Sequence, residues 1–399
     1  MPNAKKTVTK KGAASIFMVV FSILLFTIVV VAFTRIIMRG NQTAIENELS
    51  QSAYDSANTG VEDAKRALSK YISSCGQCSD NCSDECKEIT KSFVGNDPSN
   101  PEGDCKIVQR ILSADLSSGE SQIQPGVTNP SSSSSDQAYT CVKITYNTDD
   151  YIAKIDNIKS EIIVPLRPIA TGVKYVEINW FSKEDISNID VVDLPTAAEA
   201  GKLVEASEWP NNRPPILLAN FFKLGQVANY DIGSSQPSTW TALLVPTSDS
   251  VLNEINIATL DFRRSVSDKN FTQSSLDVPL AAIACKSNIN QAVYACQAKI
   301  TLPEEIPALS EKYFLRLGKR YFSKASFQVR MLDTSNNPVK FFGVQPLIDS
   351  NGRANDFFRR IEARVEAGVI DSNTLPLPGI GVDISKGDFC KLSNPDECN

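Results

Sequence analysis

The chain has 399 residues, 42% of them hydrophobic and 22% charged, the balance of a folded protein rather than a disordered one, with room for one large domain or two ordinary ones. Forty Lys+Arg against 46 Asp+Glu give a formal charge of −6, which argues against a dedicated nucleic-acid binder, because phosphates require a basic face. There is no histidine, which excludes Ser-His-Asp and Cys-His catalysis, histidine metal ligation and the usual near-neutral proton shuttle.

From Ile16 to Phe33 the sequence reads IFMVVFSILLFTIVVVAF, with only Ser22 and Thr27 polar. As a helix these residues span about 27 Å, close to a hydrocarbon core of about 30 Å. Apolar character on every side distinguishes this run from the one-faced helix of a soluble domain. Lys5, Lys6, Lys10 and Lys11 precede it, so the positive-inside rule places the N-terminus in the cytoplasm and the remainder outside the membrane. A cleaved secretory signal is the rival reading, but its apolar core runs about 7–15 residues and ends in small residues. Here the core continues into Thr34-Arg35-Ile36-Ile37-Met38-Arg39.

Helical periodicity persists beyond the span. Ile45, Leu49, Ala53, Ala57, Val61, Ala64, Leu68 and Ile72 step by three or four residues, one narrow apolar stripe on a helix. No proline interrupts Ala13–Ser74, which predicts a single rod of roughly 93 Å. Gly40 and Gly60 are its interior breakers, each worth about 1 kcal/mol against Ala; of the two, Gly40, just past the span, is the place a kink would fall, and a single rod is the simpler expectation. A coiled-coil stalk is the plainer alternative, but the stripe lacks large residues at both seam positions of a heptad.

A basic leader ending in KKG, the bond after Gly12, the run AASIFMVVFSILLFTIVVVAF and the stretch AYDSANTGVEDAKRAL together resemble a type IV prepilin over about residues 1–72. The resemblance implies cleavage between Gly12 and Ala13 by a prepilin peptidase. It also implies N-methylation of the new terminus and assembly with other pilin subunits through the N-terminal helix, by inner-membrane pilus machinery. Major pilins carry Glu at the fifth mature position and commonly Phe at the first; here these are Phe17 and Ala13. A similar loss is found in minor pilins at the tip and in the tip pseudopilin of type II secretion, where no neighbour above needs the carboxylate. An unpaired buried carboxylate would only destabilise.

Ten cysteines fit five disulfides if the head reaches an oxidising compartment. Cys285–Cys296 and Cys390–Cys398 close short local loops, and Cys105–Cys141 brackets the serine run 131–135. Cys75, Cys78, Cys82 and Cys86 would then pair among themselves, an arrangement spacing alone does not fix. Their C-x2-C-x3-C-x3-C spacing also approaches an iron–sulfur run, but the middle gap is wrong and Lys87 stands where proline is expected. Zinc sites usually separate two cysteine pairs more widely.

Strand signals begin near residue 138. Val176, Ile178 and Trp180 alternate on one face, as do Ala325, Phe327, Val329 and Met331. Thr239–Val245 is a short β-rich run, and Phe357–Val365 fits a strand or a short helix equally. DTSNNP (333–338) and DSNGRAND (349–356) read as turn-rich connectors. The expected fold is α+β, a long N-terminal transmembrane and amphipathic helix followed by a disulfide-stapled antiparallel β-sandwich-like domain. The expected divisions are a leader (1–12), the helix (13–74, with the membrane span at 13–38), a cysteine- and serine-rich loop region (75–140) and a β-rich extracellular domain (141–399).

Asp349, Asn351, Asn355 and Asp356 are oxygen ligands that could hold Ca²⁺, though without EF-hand spacing; a turn accounts for them equally. No other cofactor or metal is expected. Trp209, Phe221 and Phe222, near Pro210, Pro214 and Pro215, form a binding surface if exposed and core if not. No phosphate loop, nucleophile elbow or paired-carboxylate motif stands out, so no enzyme is expected. The expectation is a minor or tip pilin-like subunit, resident in the cytoplasmic membrane and then in a surface fimbrium, serving pilus initiation or adhesion to a host-cell ligand. The alternatives are a permanently anchored surface receptor or adhesin, and a type II secretion pseudopilin.

Overall fold

The computed structural model describes residues 13–76, 82–113, 120–124, 136–156, 161–170, 172–186, 191–196, 208–223, 239–248, 254–256, 280–321 and 324–366. Helix α1, Ala13–Cys75, is continuous over 63 residues, about 95 Å long. It is the single rod expected, continuous through Gly40 and Gly60. Thr27 Oγ1 donates to the carbonyls of Ile23 (3.0 Å) and Leu24 (2.8 Å), and Thr34 Oγ1 to that of Val30 (2.8 Å). These hydroxyls are satisfied within the helix.

The chain folds as two units, Met1–Thr145 with Leu347–Val365, and Tyr146–Pro346 with Glu366–Asn399. In the first, a four-stranded sheet has the order β1 (Ser121–Gln124), β2 (Gln137–Thr148), β14 (Phe341–Ala354), β15 (Phe357–Arg364). The segment expected to be loop, 75–140, contains two short helices, α2 (Asp84–Lys91) and α3 (Ile107–Leu112). Ser83 caps α2 by accepting from Cys86 N–H (3.3 Å), and Asp84 and Glu85 occupy its first turn, where carboxylates favour a helix. At eight and six residues, these helices are too short to show a clear period in a polar sequence.

The second unit holds a six-stranded and a five-stranded sheet. The first runs β13 (Pro338–Val339), β12 (Ala325–Asp333), β5 (Val173–Ser182), β10 (Tyr294–Ile306), β8 (Glu254–Asn256), with β3 (Tyr151–Ile155) also paired to β12. The second runs β4 (Glu161–Pro165), β11 (Tyr313–Arg320), β6 (Ile216–Lys223), β7 (Thr239–Thr247), β9 (Leu280–Ala284). Val176, Ile178 and Trp180 of β5 and Phe327, Val329 and Met331 of β12 share one core with Val164, Leu217, Phe221, Leu244 and Leu317 of the other sheet. Alternation in both sets points one face of each sheet inward, which makes a sandwich. Pairing is mostly antiparallel; β8 with β10 and β7 with β9 are parallel. Trp180 Nε1–H donates to Pro215 O (3.1 Å), which satisfies the polar group of a fully buried side chain, the largest among the described residues.

Candidate functional site

The chemistry-bearing feature of the first unit is α1 together with its seat. Among the described residues one helix is long and apolar enough to cross a membrane, with a mean hydropathy of 2.8 in its most apolar window and none of that window buried. Phe17 is 79% and Phe26 72% exposed, so the run covers no core of its own. Fourteen of the eighteen residues Ile16–Phe33 are Leu, Ile, Val or Phe. At about −0.3 to −0.6 kcal/mol each, lipid insertion gains about 4–8 kcal/mol from these side chains.

Burial begins with Ala53 and continues through Ser56, Ala57, Gly60, Val61, Ala64, Ala67, Leu68 and Tyr71. Most of the expected stripe is inside, while Ile45 remains exposed. The buried face is built from small residues because strand backbone lies directly against it. A Cβ on Gly352 would sit 2.2 Å from Ala53 O and 2.2 Å from Ala57 N; one on Gly60 would meet Ser350 Oγ at 2.4 Å and Val142 Cγ2 at 3.0 Å. Ser350 Oγ–H donates to Ala57 O at 2.7 Å, a strand hydroxyl bonded to a helix carbonyl. Tyr139 O–H donates to Asp63 Oδ2 at 3.1 Å and Arg359 Nε–H to Ser50 Oγ at 2.8 Å. Burial pushes the Tyr139 phenol up, and the Asp63 carboxylate adds to the shift. At the far end, Cys75 is bonded to Cys86, Tyr71 shares a 2.6 Å hydrogen bond with Thr90, and its ring meets Phe93 edge-on.

The other sequence-derived sites fall as follows. Ala13 is the first residue of α1; Gly12, Cys78, Cys390 and Cys398 lie outside the described residues. Cys105 is bonded to Cys141 and Cys285 to Cys296, and Cys82 is also disulfide-bonded. With Cys75 and Cys86 joined, the quartet is not a four-thiolate metal site. The calcium candidates are not brought together. Asp349 and Asn351 lie on β14, whereas Asn355 and Asp356 form its hairpin turn, about 20 Å along the strand from Asp349. Asp349 instead takes Arg360 Nε and Nη2 at 2.7 and 2.8 Å, and Asn355 Oδ1 accepts from Asp136 N–H. The connector expected at 349–356 is therefore mostly strand. Its Ser350 and Gly352 resemble turn residues because the helix leaves room for nothing larger. Phe221 is buried and stacks on Tyr313, and Phe222 stacks on Phe314. Trp209 is half-buried and stacks on Tyr321 at 4.6 Å. These rings pack within the fold instead of forming one exposed surface.

Sequence reasoning missed the strand half of the seat, Ser350 and Gly352, and also Gln345. Buried Gln345 accepts from Ile152 N–H (2.9 Å) and donates to Ile152 O (2.7 Å), standing in for a neighbouring strand along β3. The small-residue spacing of Ala53, Ala57, Gly60, Ala64 and Ala67 was the available signal for a close helix–sheet approach. Comparison with family models, curated proteins and solved structures finds no match.

Proposed function

We propose that the chain is a type IV pilin-like minor or tip subunit, acting by assembly and binding rather than by catalysis. The observation that carries this reading is the division of α1. Its first half is apolar on every side and uncovered, and its second half is locked to a sheet by small residues. A helix of that kind rests in a bilayer and, on extraction, exchanges lipid for the equivalent helices of other subunits, while its rigid second half carries the head along. Disulfides in the head fit an oxidising exterior, and the four lysines before the span fit a cytoplasmic N-terminus. Phe17 at the place of the family's glutamate favours a tip or rare position over the bulk of a filament.

Mass spectrometry of the mature N-terminus, combined with fractionation of sheared surface filaments, tests the proposal. The expected result is a chain beginning at Ala13, N-methylated, present in filaments at low stoichiometry. An intact Met1 in a chain confined to the membrane fraction would replace the proposal with a permanent surface anchor.

A further inference from the structure

The second unit contains an open groove of about 750 Å³ between β3, the end of β5 and the start of β10, lined among others by Ile152, Lys154, Lys183, Asn290 and Val293. That volume lies within the range of small-ligand sites. Both walls are held rigidly. On one side, fully buried Phe181 adopts φ +67°, a conformation bulky residues avoid unless the surroundings impose it. It directs Ser182 and the single 3-10 turn Lys183–Asp185 into the rim. The Asp185 carboxylate, only 2% exposed, fastens this turn: it accepts from Ser182 N–H (2.9 Å) and Ser326 N–H (2.9 Å), and from both serine hydroxyls at 3.3 and 3.1 Å.

On the other side, the turn Ile289–Gln291 is anchored by the Cys285–Cys296 disulfide and by Lys286 N–H donating to Ala295 O at 2.8 Å. Lys183 Nζ donates to Asn290 Oδ1 across the gap at 3.0 Å, which turns the Asn290 amide hydrogens toward other acceptors. Lys154 projects from β3 opposite Ser326. Lys324 Nζ donates to Glu184 O on the same rim (3.0 Å). Lys154 and Lys183 thus line the groove with one exposed carboxylate, Glu184, with Lys324 at its rim; the Asp185 carboxylate is already bound by four donors. Between them lie two exposed aliphatic side chains, Ile152 (37%) and Val293 (75%). Rigid walls, ammonium donors and aliphatic ground between them are what an acidic, partly apolar ligand needs.

We infer that this groove is a binding site for a short acidic peptide segment bearing aliphatic side chains, with Lys154, Lys183 and Asn290 taking its carboxylates and Ile152 and Val293 its apolar groups. The inference concerns the second unit alone and holds whether or not α1 enters a filament. Its test is a fluorescence-polarisation titration of the full chain in detergent micelles. The probe is a labelled, acetylated Glu-Leu-Glu-Val-Glu peptide, with Gln-Leu-Gln-Val-Gln as its neutral counterpart. The expected result is saturable binding of the acidic peptide that weakens with salt, with the neutral peptide at least about tenfold weaker. The double variant Lys154→Glu/Lys183→Glu and the single variant Val293→Asp are each expected to lose about tenfold or more. Lys340→Gln, outside the groove, is expected to bind as wild type. Absence of saturation, equal binding of the two peptides, or groove variants that bind as wild type while keeping the wild-type near-ultraviolet circular dichroism spectrum would overturn the assignment.

Discussion

Gly352→Ala is the sharpest probe of how α1 is seated. Gly352 has no left-handed φ, so a backbone-only argument expects alanine to stabilise β14 by about 0.5–1 kcal/mol. The structure gives the opposite sign. The new methyl would lie 2.2 Å from both Ala53 O and Ala57 N, and 2.8 Å from Ala57 Cα. All three are backbone atoms of a continuous helix and cannot rotate aside. Ordinary contact begins at 3.4 Å, so helix and sheet must separate by about 1.2 Å at this point. A gap of that size forfeits about a quarter to a half of the local dispersion energy. It also stretches the 2.7 Å bond from Ser350 Oγ to Ala57 O, worth about 1 kcal/mol. Overpacking a tight core costs about 1–3 kcal/mol, and adding the weakened bond gives a loss of about 3 kcal/mol. Chemical denaturation of the detergent-solubilised chain, followed by tryptic protection of the segment after Arg66, reads this directly. A Gly352→Ala protein as stable as wild type would refute the close-packed seat. Gly40→Ala is the internal control: nothing lies within 4 Å of that position, so only the helix propensity gain of up to about 1 kcal/mol remains.

Ser350→Ala leaves the Ala57 carbonyl without its strand donor and is expected to cost about 1 kcal/mol by the same denaturation assay. Cys75→Ser with Cys86→Ser opens a loop of sequence separation 11 and is expected to remove about 2–3 kcal/mol, seen as faster proteolysis between α1 and α2. Gln345→Leu strips both partners from the Ile152 peptide group and is expected to cost about 2–3 kcal/mol, with faster amide exchange at Ile152. Asp333 accepts from the N–H groups of Ser335 and Asn337 and from the Asn337 side chain; hydrogen bonds from Asn337, foremost, hold its carboxyl below the ordinary value near 3.8. A depressed carboxyl pKa contributes stability that is complete above the unfolded value and is lost as pH falls through the folded one. The turn between β12 and β13 is therefore expected to loosen only below about pH 3.8, as read by amide shifts of Ser335 and Asn337.

What the sequence disclosed follows from how far each signal reaches along the chain. A run of eighteen residues with two polar members, and a strand such as Val176-x-Ile178-x-Trp180, announce themselves locally, because burial or lipid exposure acts on every residue of the element. The partner of α1 does not. Ser350 and Gly352 lie 293 and 299 residues after Ala57 and Ala53 in the chain, and nothing local marks them as helix-facing. Read in isolation, DSNGRAND has turn composition, and only the approach of a helix backbone makes Gly and Ser the side chains that fit a strand there. The same constraint explains the helix side of the joint. Large residues on the stripe would have made a conventional amphipathic helix, easier to recognise but separated from the sheet by a layer of side chains. Ala53, Ala57, Gly60 and Ala64 instead let hydrogen bonds and backbone contacts fix the helix at one axial position and one rotation. In the proposed role, in which the free half moves between surroundings, the rod transmits that movement to its head only if it cannot slide or turn in its seat. Small residues in backbone contact resist both motions, because a shift of one residue would drive Gly352 against a side chain instead of the gap between Ala53 and Ala57.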